Sequence, residues 1–128
     1  MRLPAIFTAT GNAMLAGMDD ASFDEWLAQH PVSGWPKPLT PNAIRSIATL
    51  VREMGEIRDR GYAVDDEQIH DGLWCFGSAV KDHSGQAVAG VGISLPQTEL
   101  GRYGMEKLGE YAVDLAHAVS FRLGYRGE

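Results

Sequence analysis

The stretch from Gly61 to Pro96 contains the clearest hairpin signal in this chain of 128 residues. Two runs rich in apolar and small residues, Leu73–Val80 and Ala87–Leu95, flank a polar turn at Lys81–Gln86 that has a glycine near its end. This pattern predicts an antiparallel pair of strands. The remaining segments must pack around that pair, so the hairpin limits the fold more than any other feature of the chain.

The predicted hairpin has an unusual face. Successive side chains on a strand point to opposite faces, and one face of each strand carries mostly small side chains. A turn of even length sets Cys75 opposite Gly92 and Leu73 opposite Ser94. A hollow of this kind suits either a small ligand or a closely packed helix, and the spacing alone favours the helix. The small-residue face would consist of Cys75, Gly77, Gly90, Gly92 and Ser94.

Two short helices are predicted near the N-terminus. The first begins near Thr10, and its first turn would leave backbone N–H groups around Ala9–Asn12 free to bind an anion. The second follows the capping pattern Ser22–Glu25. Four prolines in residues 30–41 then predict a semi-rigid loop around Trp35. That tryptophan either covers a pocket or pins the loop to the body of the domain, and we favour the second alternative.

Two longer helices are predicted around the strands. One has Thr40–Pro41 as its cap and first position and ends at Gly61. The other begins near Thr98 or Glu99, packs against the sheet and ends at Gly124. Its apolar stripe would consist of Met105, Leu108, Ala112, Leu115, Val119 and Leu123.

Charge and cysteine content exclude several classes of function. The chain has 11 basic and 17 acidic residues, for a net charge of -6, so we expect it not to bind nucleic acid by itself. Its single cysteine, Cys75, excludes an intrachain disulfide and a Cys-x-x-Cys site. Because a reducing compartment suits such a chain, we expect it to be cytoplasmic. No segment approaches the length of a membrane span, so we expect no membrane partner.

Three segments of the chain carry a family resemblance. They are RLPAIFTATGNAMLA near the N-terminus, the segment from Gly61 to Pro96, and AHAVSFRLGY near the C-terminus. In this order and spacing they resemble the effector-binding half of IclR-type bacterial transcription regulators. The resemblance implies an α/β fold of the α+β type, with a GAF-like curved antiparallel sheet flanked by helices. We find no counterpart of the strands that precede the RLP segment in the family, so we expect a sheet without them.

The resemblance also implies a function and partners. Residues 1–128 would form one effector-sensing domain that binds a small organic acid and modulates DNA binding. DNA would be a partner only through an N-terminal helix-turn-helix domain that this chain does not contain. We also expect a homodimer or a higher homo-oligomer, because a truncated sheet exposes an edge that needs a partner.

The resemblance further implies which residues bind the effector. The acid would lie against the sheet and meet backbone amides at the first helix, an acidic residue, a cysteine and hydroxyls on the last strand. Gly92 departs from this pattern, because glycine supplies no hydroxyl and leaves more room. A branched residue at this position is therefore predicted to fill the site with little loss of fold. Leu73 would form an apolar wall. The predicted ligand-binding residues are Ala9, Thr10, Asp65, Leu73, Cys75, Gly92 and Ser94.

Two other classes of function remain open. A thiolate at Cys75 near Asp65 and His70 could act as a nucleophile, but the chain has no second cysteine to resolve an oxidised thiol, so we expect no enzyme. The same three residues could ligate a metal, yet their spacing is not diagnostic, and we expect neither a metal nor a cofactor. The other class is a purely structural dimerisation domain, which insensitivity to effectors would reveal.

Overall fold

The computed structural model describes residues 5–29, 37–44 and 46–127 of the chain, so residues 30–36 of the predicted loop, with Trp35, lie outside the described residues, whereas residues 37–41 contain no helix or strand, as predicted. None of the helices in these ranges has both the length and the apolar character needed to cross a membrane. The helices are α1 (Ala9–Ala16), α2 (Asp20–Gln29), α3 (Ile47–Arg60), α4 (Leu100–Tyr103) and α5 (Met105–Arg122). The strands are β1 (Ala63–Asp66), β2 (Leu73–Lys81) and β3 (Ala87–Pro96).

The strands form one antiparallel sheet in the order β1-β2-β3, with helices on both faces. Helix α1 packs against β2 and β3 on one face, and α3 lies against α1. Helix α5 packs against the same two strands on the other face. Each side has a cluster of buried side chains. Phe7 and Leu50 belong to the cluster on the side of α1 and α3, and Phe76 and Leu108 to the cluster on the side of α5. The predicted α+β architecture, an antiparallel sheet flanked by helices, is confirmed.

The predicted register of the hairpin is wrong by two residues. Cys75 pairs with Ser94 rather than with Gly92, and Leu73 pairs with Pro96 rather than with Ser94. The turn at Asp82–Gln86 has an odd number of residues, and a bulge follows where β3 supplies one extra residue between the partners of Val80 and Lys81. Because the extra residue compensates for the odd turn, odd positions of β2 still pair with even positions of β3.

Two helices begin at residues other than those predicted. Helix α3 begins at Ile47, where the Ser46 side chain accepts a hydrogen bond from the Thr49 N–H. The predicted cap, Thr40, instead donates its hydroxyl to the carbonyl of Glu67. Helix α2 also begins earlier than the pattern Ser22–Glu25 predicts, because Asp19 accepts the Ser22 N–H at 2.7 Å. Several residues near each start can act as caps, so local sequence does not decide among them.

The predicted C-terminal helix is two helices. Gly104, with φ 81° and ψ 138°, separates α4 from α5. The predicted apolar stripe is also partly wrong, since Met105, Leu115 and Leu123 are exposed. Small side chains let α5 approach the sheet closely, and a Cβ atom at position 109 would overlap the ring of Tyr62. The buried residues of α5 are Leu108, Gly109, Ala112, Ala116 and Ser120.

Candidate ligand-binding site

The N-terminus of α1 leaves two backbone donors available. Thr8 is the N-cap, and its hydroxyl accepts a hydrogen bond from the Gly11 N–H at 2.9 Å. The Thr8 N–H itself donates to the carbonyl of Ala5. The first turn of a helix has no intrahelical acceptors for its N–H groups. Those of Ala9 and Thr10 accordingly have no acceptor among the described residues.

The small-residue face of the sheet brings this helix start close to the strands. A Cβ atom at Gly77 would lie 2.8 Å from the main chain of Ala9 and Thr10, which is too close for any real side chain. A Cβ atom at Gly90 would lie 2.9 Å from the Cβ atom of Thr10. The glycines thus let the first turn of α1 rest directly on β2 and β3, so the close packing of a helix explains part of this face.

A cavity of about 290 Å³ opens beside that contact, and we call it the first cavity. It lies between the first turn of α1, the end of β1 and the paired strands β2 and β3. The close packing of a helix and a cavity, which the sequence offered as alternatives, therefore occur side by side on this face. Its lining consists of Thr8, Ala9, Thr10, Asp65, Ile69, Leu73, Cys75, Phe76, Gly92, Ile93 and Ser94.

The first cavity brings together every residue that the sequence predicts to bind ligand: Ala9, Thr10, Asp65, Leu73, Cys75, Gly92 and Ser94. That these residues bind a ligand stays a prediction. Four lining residues were not predicted, namely Thr8, Ile69, Phe76 and Ile93. Threonine is a preferred N-cap, and this preference is the signal that could have found Thr8. No comparable signal marks Ile69, which lies in the loop between β1 and β2.

The room at Gly92 is smaller than predicted. A Cβ atom there would lie 2.8 Å from the carbonyl oxygen of Phe76 and 3.3 Å from the Cγ2 atom of Thr10. The first of these neighbours belongs to the main chain of β2, which cannot move aside without disturbing the strand pair. We therefore withdraw the expectation that a branched residue at position 92 would leave the fold intact.

Asp65 places a carboxyl group in the first cavity. Its side chain is only 1% exposed, and one of its oxygens accepts the N–H of Gln68 at 2.7 Å. Burial is the main cause that raises the pKa of Asp65 to about 6, against the lowering effect of that hydrogen bond, and the neighbouring Asp66 adds to the increase. The carboxyl group therefore gains a proton at mildly acidic pH, where it becomes a hydrogen-bond donor.

Cys75 and Ser94 face the first cavity from paired positions of β2 and β3. The Sγ atom lies 3.1 Å from the serine Oγ atom. Burial raises the pKa of the Cys75 thiol, which the hydrogen bond with Ser94 lowers in part and the charge of Asp65 raises further. A raised pKa keeps the thiol protonated at neutral pH, whereas a nucleophilic cysteine needs a lowered one. The raised pKa therefore disfavours the thiolate on which the enzyme alternative depends.

The geometry gives no support to a metal site. Within the described ranges, no three histidine, cysteine or acidic side chains are placed to hold a metal ion. His70, one of the residues considered as a ligand, is exposed and its Nδ1 atom lies 2.7 Å from the carbonyl oxygen of its neighbour Asp71.

Hydrogen bonds to neighbouring segments hold the segment around Asp65 in place. Gln68 is 5% exposed, and while its N–H binds Asp65, its side-chain carbonyl accepts the N–H of Ile44 at 3.1 Å. Asn42 also reaches this segment by donating its side-chain amide to the carbonyl of Asp66. Sequence reasoning did not find the contacts of Ile44 and Asn42 with this segment, because each joins residues 24 positions apart.

Together, the fold and the first cavity define an α+β domain that has a small polar cavity between a helix start and the sheet. Residues 1–121 match the family described as "Bacterial transcriptional regulator IclR C-terminal". The chain belongs to this family, which confirms the resemblance seen in the sequence.

Similar proteins of known sequence or structure agree with this assignment. The chain is 30% identical over 125 residues to the HTH-type transcriptional repressor AllR of Escherichia coli K12. The crystal structure of the repressor BlcR of Agobacterium tumefaciens has a TM-score of 0.86 and 39% identity over 98% of this chain. The C-terminal domain of the E. coli transcriptional regulator KdgR has a TM-score of 0.84 and 28% identity, again over 98% of this chain.

The chain spans only part of these relatives. It covers 45% of AllR, 49% of the BlcR chain and 74% of the KdgR domain. The matched relatives are named as transcriptional regulators or repressors, and their names indicate no catalytic activity.

Proposed function

We propose that this domain senses a small organic acid in the first cavity and thereby modulates DNA binding by a helix-turn-helix domain of a longer regulator. The observation that carries the proposal is the convergence, in one cavity, of two free helix amides, a buried carboxyl group and a thiol–hydroxyl pair. Membership of the IclR family and the repressor function named for AllR and BlcR support it. We propose a cytoplasmic location on the same grounds.

The acid group of the effector would bind at the start of α1. The N–H groups of Ala9 and Thr10 have no other acceptor among the described residues, and the helix dipole favours a negative charge there. None of the described residues that line the cavity has a basic side chain, so these backbone groups would be the main partners of the carboxylate.

Asp65 would select effectors that carry a hydrogen-bond donor. Near neutral pH its carboxyl group is mostly ionised and can only accept hydrogen bonds. A hydroxyl, a hydrated keto group or an amine on the effector would give its other oxygen a donor, whereas a plain aliphatic acid would leave the Gln68 N–H as its one donor among the described residues. Discrimination by an unsatisfied buried polar group is worth about 1–3 kcal/mol.

The size of the first cavity favours a small effector. Its volume of about 290 Å³ lies at the lower end of the range for small-molecule sites. Leu73 and Ile69 supply apolar walls, which suits a short carbon chain.

Calorimetry with matched acids tests this proposal. Lactate and alanine each differ from propionate by one donor group, so we expect lactate or alanine to bind more tightly than propionate. The affinities should be compared at one ionic strength and at neutral pH. Equal binding of all three, at the level of a salt control, would contradict the assigned role of Asp65. A wider screen by thermal shift would then separate a wrong donor rule from an effector-insensitive, purely structural domain, because a ligand of the folded state raises the melting temperature.

We also propose that DNA binding belongs to another part of the regulator and that this domain self-associates. A net charge of -6 opposes contact with a phosphate backbone. The apolar side chains of Tyr111, Leu115 and Phe121 on α5 are 46%, 46% and 62% exposed, which suits a homodimer or a higher homo-oligomer. Sedimentation at high micromolar concentration tests the second point, and a purely monomeric chain would contradict it.

A further inference from the structure

A second cavity, of about 230 Å³, lies at the opposite end of α1 from the first one. It is bordered by the last turn of α1, the end of α3, strand β2 and helix α5. Strand β1 pairs with β2 only as far as Gly77, so within the described residues the edge of β2 from Ser78 to Lys81 has no neighbouring strand on that side. The second cavity occupies this gap in the sheet.

The ionisable side chains that line the second cavity are basic or aromatic. Arg58, Lys81 and His117 line it together with Tyr125, and none of the described residues in its lining is acidic. The chain as a whole has 17 acidic and 11 basic residues, so a cavity lined in this way differs from the average surface. The first cavity is the reverse case, since its described lining includes the acidic Asp65 and no basic side chain.

Some donor groups in the second cavity have no acceptor among the described residues. The Nε atom of Arg58 donates to the carbonyl of Ala16 at 2.8 Å, while the rest of its guanidinium has no acceptor among the described residues. The Nζ atom of Lys81 lies 5.4 Å from the centre of the Tyr125 ring, without an acidic partner in the described ranges. Ser120 is 2% exposed and accepts the Lys81 N–H at 2.9 Å, which leaves its own hydroxyl hydrogen available.

A purely structural account of these basic residues is the attraction of cations to the C-terminal ends of α1 and α3, which both lie here. That account is incomplete. The carbonyl of Ala16 is already bound by Arg58, and the carbonyl of Gly61, just after α3, accepts the hydroxyl of Ser78 at 2.9 Å. Each helix end carries only about half a negative charge. The positive charge of Arg58 and Lys81 therefore exceeds what the two helix ends offset.

We propose that the second cavity binds a small dianion of the phosphate or dicarboxylate class. Lys81 and the outer guanidinium nitrogens of Arg58 would bind the anion directly, with His117 and the Ser120 hydroxyl as further donors. Because the first cavity uses the opposite end of α1 and shares no lining residue with this one, the two sites are distinct.

Calorimetric titration with inorganic phosphate and with malonate tests this proposal. Acetate serves as the monoanion control, and sodium chloride keeps the ionic strength constant. We expect saturable binding of at least one dianion, with a Kd on the order of 1 mM, and no comparable binding of acetate. Binding of only one of the two dianions would support the proposal and would identify the ligand class as phosphate or as dicarboxylate. Acetate binding as tight as that of the dianions, or no saturable binding of either dianion, would overturn the proposal.

A pair of lysine variants locates the site. Lys81→Gln should weaken dianion binding roughly tenfold, the effect of losing one charge-assisted hydrogen bond. Lys107→Gln is a matched control, because Lys107 also lies 5.4 Å from a tyrosine ring, that of Tyr111, but outside the second cavity. Equal losses in both variants would show that only net charge matters and would refute the assigned site.

Two further variants allow the proposal to be tested even if Lys81→Gln does not fold. His117 is exposed, so His117→Gln should weaken dianion binding without unfolding the chain, even where Lys81→Gln proves unstable. An unchanged affinity in His117→Gln together with a folded, unaffected Lys81→Gln would overturn the proposal. Ser94→Ala, in the first cavity, should leave dianion binding unchanged. A failure of acid binding in the first cavity is thereby distinguished from a failure here.

Discussion

The thiol sulfur of Cys75 lies 3.1 Å from the hydroxyl oxygen of Ser94, directly across the β2–β3 pair. Both residues line the first cavity. A serine hydroxyl has one hydrogen to donate and two lone pairs that accept, so Ser94 can bond with the thiol and still bind a ligand. The pair forms the polar floor of the cavity, opposite the amides of α1.

Replacement of Ser94 tests this floor. We expect Ser94→Ala to weaken effector binding by about 1 kcal/mol, the typical net contribution of one hydrogen bond. Calorimetry with an acid that binds the wild-type chain measures the change. Ser84→Ala is a suitable control, because Ser84 bonds only with Asp82 in the hairpin turn and does not line the cavity. An effect of equal size in the control would mean that the loss is not local to the cavity.

Asp65 makes the stability of the domain depend on pH. Its pKa is raised from 3.8 to about 6 in the folded chain, chiefly by burial, so the folded chain binds more protons than the unfolded chain between these values. The stability that this residue contributes is complete below pH 3.8 and is lost as the pH rises through about 6. The loss amounts to about 3 kcal/mol, because each pKa unit corresponds to roughly 1.4 kcal/mol.

The variant Asp65→Asn isolates this effect from the other carboxyl groups. An asparagine keeps an oxygen for the Gln68 N–H and does not titrate. The free energy of unfolding of the variant should therefore rise relative to that of the wild type as the pH increases from 3.8 through about 6, the two pKa values of Asp65 in the unfolded and the folded chain. Urea denaturation at several pH values measures the difference. A difference that is independent of pH would contradict the assigned pKa.

The sequence predicted which residues line the first cavity, although it did not predict the register of the hairpin. The alternation of side chains depends only on parity, and the odd turn at Asp82–Gln86 with its compensating bulge preserved the parity. Cys75 and Ser94 therefore face the same side in both registers. The choice of partners depends on the conformation of the turn, in which Gly85 has a φ of 83°, and the composition of the turn does not determine that conformation.

The helix starts and the hydrogen bonds that support Asp65 could not be predicted from the sequence, for a different reason. Thr40 and Ser46 are both good caps, and what separates them is a contact of Thr40 with the distant carbonyl of Glu67. The link from Gln68 to Ile44 is equally non-local. Patterns within a few residues identify candidates for such roles, whereas packing between distant segments selects among them.

Replacement by alanine should change stability in opposite directions at two glycines, one packed against α1 and one exposed within α3. Gly77→Ala should destabilise the chain by about 1–3 kcal/mol, because its Cβ atom would lie 2.8 Å from the main chain of Ala9 and Thr10. Gly55→Ala should stabilise it by about 0.5–1 kcal/mol, since Gly55 lies within α3 and has nothing within 4 Å of its Cβ position. Urea denaturation gives both values. A neutral Gly77→Ala would show that α1 does not rest on the strands as described.

The reactivity of Cys75 provides a probe of the first cavity. It is the single cysteine of the chain, so alkylation by iodoacetamide reports on one position. Because burial raises the pKa of the thiol, we expect the folded chain to react more slowly at pH 8 than the chain unfolded in urea, by about tenfold for each unit of pKa increase. The hydrogen bond with Ser94 lowers that pKa, so Ser94→Ala should react more slowly still. A bound acid should slow the reaction further by covering the sulfur. A folded chain that reacts as fast as the unfolded one would contradict the raised pKa and would restore the nucleophilic alternative.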